Sequence, residues 1–80
     1  MNKKRILLFT ADWCAPCKAV KSWCDERVEI IDVEEDTERV ERFTIKSLPT
    51  VIVLIDDEVV DKHCGNFKDK KAFEDFINGE

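Results

Sequence analysis

Cys14 and Cys17 stand two residues apart, directly after an apolar run and at the head of a helical pattern, in the stretch Trp13-Cys14-Ala15-Pro16-Cys17-Lys18. That placement restricts the fold more than any other feature of the chain. A thiolate is stabilised at a helix N-terminus, because unpaired backbone N–H groups and the helix dipole both favour negative charge there. Residues three apart in a first helical turn share a face, so the two sulfurs can reach each other. Pro16 suits such a turn, since its missing N–H has no helical partner to lose. A reversible dithiol fits the pattern. So does half of a zinc site, and the remainder of the chain must decide between them.

The hydrophobic pattern around the cysteines predicts alternating strands and helices. Arg5 to Thr10 is a short continuous apolar run, as expected of a strand covered on both faces. From Cys14 to about Arg27 the apolar residues Ala19, Val20, Trp23 and Cys24 form one helical stripe, with Lys18, Lys21, Asp25 and Glu26 outside it. Val28 to Val33 predicts a second strand, parallel to the first because a helix makes the crossover. Glu34 to about Phe43 is strongly charged, with Val40 and Phe43 as apolar contacts and Asp36 as a candidate helix cap. Thr50 to Ile55 is apolar and β-branched and predicts a central strand. After a turn at Asp56-Asp57-Glu58, Val59 to about His63 predicts an antiparallel edge strand. A last helix, from about Lys68 to Asn78, carries Ala72, Phe73, Phe76 and Ile77 on one stripe, and Gly79 stops it. The expected order is β-α-β-α-β-β-α, an α/β fold with a four-stranded mixed sheet.

Composition bounds the function. Eighty residues make one small domain, burying about 60–65% of its unfolded surface. Thirteen basic against eighteen acidic residues leave a net charge of −5, which argues against a nucleic-acid partner. The basic start Met1-Asn2-Lys3-Lys4-Arg5 precedes only four apolar residues, Ile6-Leu7-Leu8-Phe9, too few for the h-region of a signal peptide. No run approaches the about 20 residues of a membrane span. Four cysteines without a leader suit a reducing cytoplasm, where a C-x-x-C pair does redox or metal chemistry.

With these elements in place the chain resembles the thioredoxin family. The resemblance rests on Ala11-Asp12-Trp13-Cys14-Ala15-Pro16-Cys17-Lys18, on Asp32-Val33-Glu34-Glu35, on Ser47-Leu48-Pro49-Thr50 and on Gly65, and it runs from about Arg5 to Ile77. It implies a single thioredoxin-like domain over residues 1–80, of minimal, glutaredoxin-like size, with helices on both faces of the sheet. It implies a redox-active Cys14–Cys17 disulfide, with Cys14 as nucleophile and Cys17 as resolving thiol. It also implies a cis peptide at Pro49, facing the dithiol, with the backbone of Leu48 pairing to a substrate segment like an added strand. Trp13, Leu48, Pro49 and Thr50 are the expected substrate-binding residues. The implied activity is reduction of protein disulfides by a cytoplasmic monomer, without cofactor or metal, recharged by a thioredoxin reductase or by glutathione. A glutaredoxin-type enzyme is the alternative, although Thr50 and the single Gly65 favour the thioredoxin pattern. A non-catalytic interaction module on the same fold is a further one.

Several residues depart from the family pattern or stand outside it. The buried carboxylate that thioredoxins usually carry in the first strand would fall at Leu8, and its basic partner at Ile31, so a proton relay must use water or another group. Asp12 is expected in solvent. Lys18 is either a thiolate-stabilising cation or a solvated first-turn lysine. Cys24 is expected as a buried, inert thiol and Cys64 as a packing residue. His63 is expected at the surface of the edge strand. Cys14, Cys17, His63 and Cys64 together are a conceivable Cys₃His zinc set, disfavoured by Pro16 and by the Leu48-Pro49-Thr50 context.

Overall fold

In the structure, a computed structural model that describes residues 3–79, the element order follows the hydrophobic pattern. The elements are β1 (Lys4–Thr10), α1 (Ala15–Ser22), β2 (Val28–Asp32), α2 (Thr37–Arg42), β3 (Thr50–Ile55), β4 (Glu58–Cys64) and α3 (Lys70–Asn78). Met1, Asn2 and Glu80 lie outside the described residues, and with them the start of the basic N-terminal stretch.

β1 organises the sheet. It pairs in parallel with β2 and antiparallel with β3, which in turn pairs antiparallel with β4, giving the order β2-β1-β3-β4. Side chains alternate across a strand, so the unbroken apolar run of β1 supplies two cores. Ile6 and Leu8 join Val28, Val51 and Val53 under Val20 of α1 and Phe73 and Ile77 of α3. Leu7 and Phe9 join Ile31, Ile52 and Leu54 on the other face, against Val40 and Phe43 beside α2. Helices therefore cover both faces, as the resemblance implied.

Local chemistry sets the element ends. α1 stops at Ser22, well short of Arg27, because the chain turns twice. Cys24 N–H donates to the Lys21 carbonyl (3.2 Å), then Asp25 accepts the Arg27 N–H on its side chain (2.9 Å) and the Val28 N–H on its carbonyl (3.1 Å). Short acidic side chains offer the backbone such local bonds and compete with helix. α2 is likewise shorter than the charged stretch that contains it. Its expected cap, Asp36, accepts the Arg39 N–H at 3.1 Å. Beyond α2, Thr44 N–H bonds to the Glu41 carbonyl (3.2 Å) and Ile45 N–H to the Val40 carbonyl (3.0 Å), a Schellman closure. Thr44 occupies its left-handed position, with φ 53°. β4 outruns its expected bounds by a residue at each end, because Asp56 (φ 53°) and Asp57 (φ 68°) form a two-residue hairpin loop and bring Glu58 opposite Ile55. α3 starts at Lys70, two residues later than expected, since Asp69 caps it by accepting the Ala72 N–H at 2.9 Å.

These connections bring the C-terminal end of β1, the N-terminus of α1 and the segment before β3 to one end of the sheet. The Leu48–Pro49 peptide in that segment is cis. No helix among the described residues is long and apolar enough to cross a membrane.

Candidate active site

Cys14 is the N-cap of α1, one position outside the helical turn in which the spacing placed it. The Cys14 N–H donates to the Ala11 carbonyl (3.1 Å), which turns the chain out of β1 and into the helix. Its Sγ accepts the Cys17 N–H at 3.3 Å, so one of the free donors of the first turn points at this sulfur. Ala15 and Pro16 fill the first two helical positions, where no intrahelical N–H bond is lost. The Cα atoms of Cys14 and Cys17 are 5.3 Å apart and their sulfurs are joined in a disulfide. Cys17 is fully buried, whereas Cys14 keeps 6% of its surface, so a visiting sulfur meets Cys14 first.

The pair sits in an apolar setting. Ala11, Cys14 and Cys17 form a small cluster against which Val33 and Leu48 pack. Trp13 projects beside it, 70% exposed, and its indole Nε1–H donates to the Glu34 carboxylate at 3.1 Å. Trp13, Val33, Val40, Ile45, Lys46, Ser47 and Leu48 line a groove of about 170 Å³ at this place. A larger recess of about 230 Å³, lined by Ile30, Ile31, Asp32, Glu35, Asp36 and Arg39, holds none of the expected site residues. Pro49 and Thr50 are buried, and the Thr50 hydroxyl donates to the Ser47 carbonyl at 2.7 Å, closing the turn that carries Leu48 and Pro49. The Pro49 carbonyl accepts the Gly65 N–H at 2.8 Å. Gly65 has φ 93°, a left-handed value that suits glycine.

Other expectations fare differently. Asp12 and Lys18 are exposed. Leu8 is fully buried, but the residue opposite it in β2 is Ile30, not Ile31. Ile31 belongs to the other face, with Leu7 and Phe9, because a one-residue step along a strand reverses the side chain. The basic-partner position is therefore Ile30, and it too is apolar. Among the described residues the buried polar side chains are Thr10 and Thr50, with no carboxylate or cation. Cys24 is half-buried, its thiol donating to the Val20 carbonyl at 3.3 Å. Burial, and secondly the charge of Asp25, pushes that thiol up to about 11, which fits an inert group.

Cys64 is exposed and not packed, a reversal of its expected state: it ends the edge strand β4 and joins none of the hydrophobic clusters, while His63 beside it turns to the covered face. His63 is half-buried, stacked on Phe67 at 3.8 Å between ring centroids with Nε2 3.1 Å from the Asn66 carbonyl. Among the described residues no three His, Cys, Asp or Glu side chains are placed to hold a metal ion, so Cys14, Cys17, His63 and Cys64 do not form a zinc set. The sequence reading missed the roles of Glu34, Val40 and Ile45 around the groove. Only the nearness of Glu34 to Val33 hinted at the first, since 21 residues separate Glu34 from Trp13.

Comparison with known proteins agrees with this geometry. The thioredoxin family model matches residues 1–79. A thioredoxin of Bacillus subtilis is 35% identical over 79 residues, covering 88% of this chain and 75% of the relative. One from Mycoplasmoides gallisepticum is 35% identical over 75 residues, covering 80% of this chain and 72% of its own. Among solved structures, the oxidised thioredoxin of Plasmodium falciparum superposes with a TM-score of 0.82 at 29% identity, covering 98% of this chain and 81% of that one. A mutant thioredoxin from Halobacterium salinarum gives 0.81 at 28% identity, covering 95% and 73%. The capped, bonded cysteine pair and these likenesses lead to one conclusion: the chain belongs to the thioredoxin family and is a thioredoxin-type disulfide oxidoreductase.

Proposed function

We propose that Cys14 is the attacking nucleophile, that Cys17 resolves, and that the protein reduces disulfides of other proteins in the cytoplasm as a monomer. In the reduced enzyme the Cys14 thiolate attacks one sulfur of a substrate disulfide. A Cys14–substrate disulfide forms and the first substrate sulfur leaves as a thiolate, to be protonated by solvent. The Cys17 thiol then loses its proton and attacks Cys14 Sγ, and the second substrate sulfur leaves. Two electrons have moved to the substrate, and the enzyme holds the Cys14–Cys17 bond. What supports this assignment is the Cys17 N–H aimed at Cys14 Sγ, the more exposed sulfur of the pair. As a thiolate, Cys14 would keep that donor and gain from the helix dipole.

A substrate segment lies along Trp13 and the Leu48-Pro49 backbone, with Thr50 acting from beneath through its bond to Ser47. The Cys17 proton leaves by way of water, as the strand carboxylate that could receive it is replaced by Leu8. No metal or cofactor takes part. The net charge of −5 is unsuited to nucleic acid. A thioredoxin reductase is the electron donor that the family implies, and glutathione is the competing one.

Insulin reduction coupled to dithiothreitol tests the assignment: turnover is lost in Cys14→Ser, and unchanged turnover refutes it. Supplying reducing equivalents from thioredoxin reductase or from glutathione identifies the donor, the proposal requiring the faster rate with the reductase.

A further inference from the structure

One wall of the groove beside the dithiol is mounted on a lightly anchored piece of chain. Val40 of α2 and the residues Ile45, Lys46, Ser47 and Leu48 line that groove, and no residue from 37 to 48 is fully buried. Val40, Phe43, Ile45 and Leu48 pack against the core beneath while staying partly open to solvent. A segment with so little buried apolar surface opens more readily than the sheet under it. The bonds that shape its turn, such as Ile45 N–H to the Val40 carbonyl (3.0 Å), join the segment to itself.

Lys62 ties this segment to the sheet. It sits in β4 opposite Ile52 of β3, and cross-strand partners share a face, so its side chain stands on the side that α2 covers. Its Nζ donates to the Phe43 carbonyl (3.2 Å) and, over a longer reach, to the Thr44 carbonyl (3.5 Å). Both carbonyls lie past the last residue of α2, where the helix supplies no N–H and its dipole favours a cation. Thr44 holds the left-handed φ of 53°, and Ile45 of the groove follows it directly. The ammonium is therefore bonded to the backbone that carries the groove wall, while its own Cα is fixed by the β3–β4 ladder.

We infer that Lys62, although outside the groove, is a positioning residue for protein substrates. By clamping the end of α2 to the edge strand, it holds the groove wall in the shape that receives the segment flanking a substrate disulfide. The sulfur chemistry does not involve it. This rests on the reading that a substrate segment lies along Trp13 and the Leu48-Pro49 backbone. Lys62 is exposed and belongs to none of the hydrophobic clusters, so its replacement leaves the cores intact.

The test compares Lys62→Met, Lys62→Arg and Trp13→Ala in the full chain. Met keeps an apolar stem without the charge, and Arg keeps a cation with several donors. One substrate is insulin, the other hydroxyethyl disulfide, which is too small to reach the groove and the sulfurs together. Lys62→Met raises KM for insulin about two- to fivefold, the scale of one exposed charged contact, with kcat within about twofold. Reduction of hydroxyethyl disulfide is unchanged. Lys62→Arg stays within about twofold of the parent KM. Hydrogen exchange at the Ile45 amide quickens in Lys62→Met and not in Lys62→Arg, while the Leu8 amide keeps its rate. An unchanged insulin KM in Lys62→Met overturns the inference, even if the Ile45 amide exchanges faster. So does equal loss in Lys62→Arg, or a parallel fall with hydroxyethyl disulfide. An insulin KM that stays unchanged in Trp13→Ala would instead sink the reading of the groove as the docking place, so the two failures are distinct.

Discussion

Leu8 of β1 stands opposite Ile30 of β2 in the parallel pair, fully buried on the face covered by α1 and α3. Neither residue can hold or receive a proton, and no carboxylate or cation is buried elsewhere among the described residues. Placing a carboxylate here measures how apolar the site is. Leu8→Asp should destabilise the fold by about 3–5 kcal/mol at neutral pH, from lost packing and an unpaired buried charge. Burial raises the new carboxyl's folded pKa above its unfolded value, so the variant is less unstable below pH of about 4 and loses stability as pH rises. Urea unfolding at pH 4 and pH 7.5 checks this. Adding Ile30→Lys should recover part of the loss at pH 7.5, since Ile30 is 43% exposed and its replacement can reach both partner and water.

The two cysteines outside the disulfide should react very differently. Cys64 is exposed, whereas Cys24 is half-buried with its thiol pushed up to about 11. Iodoacetamide at pH 8 should label Cys64 in the oxidised protein within minutes and leave Cys24 protected, as mass spectrometry of digests would reveal. The raised pKa also sets a stability trend. The folded Cys24 holds its proton above the ordinary value of 9.0, so its contribution is complete below pH 9.0 and is lost as pH rises towards about 11. Cys24→Ala should flatten that alkaline decline.

Left-handed backbone at non-glycine residues offers simple stabilising changes. Thr44 closes the Schellman turn after α2 with φ 53°, where a β-branched side chain is strained by about 1–2 kcal/mol. Glycine removes that strain but makes the unfolded chain looser, by about 0.4–1 kcal/mol. Thr44→Gly should therefore gain about 0.5–1 kcal/mol, seen as a Tm rise of about 3–6 °C in calorimetry. Asp57→Gly in the hairpin loop should gain less, because Asp tolerates the left-handed region better than Thr.

Much of this architecture is legible in the residues themselves. The unbroken apolar runs of β1 and β3 announce strands covered on both sides, and the cores on their two faces bear that out. Asp36 and Gly79 mark a helix start and a helix stop, since one accepts a first-turn N–H and the other has φ 81°. Other features depend on distance in space. The end of α1 is hidden because Asp25 looks like an outer helix residue until its bonds to Arg27 and Val28 are known. A one-residue register step is invisible in a run such as Ile30-Ile31, so the residues alone do not show that Leu8 faces Ile30. The edge character of β4 is legible in its residues, but which face its last residue presents is not, and Cys64 proves exposed. The Trp13–Glu34 bond joins two turns that no local pattern connects.

The most direct test of the central claim is a trapping experiment. Cys17→Ser removes the resolving sulfur, so a disulfide-containing protein such as insulin should accumulate as a covalent adduct, stable until dithiothreitol is added. The account predicts that peptide mapping finds the adduct at Cys14 alone. An adduct at Cys24 or Cys64, or none, would contradict it.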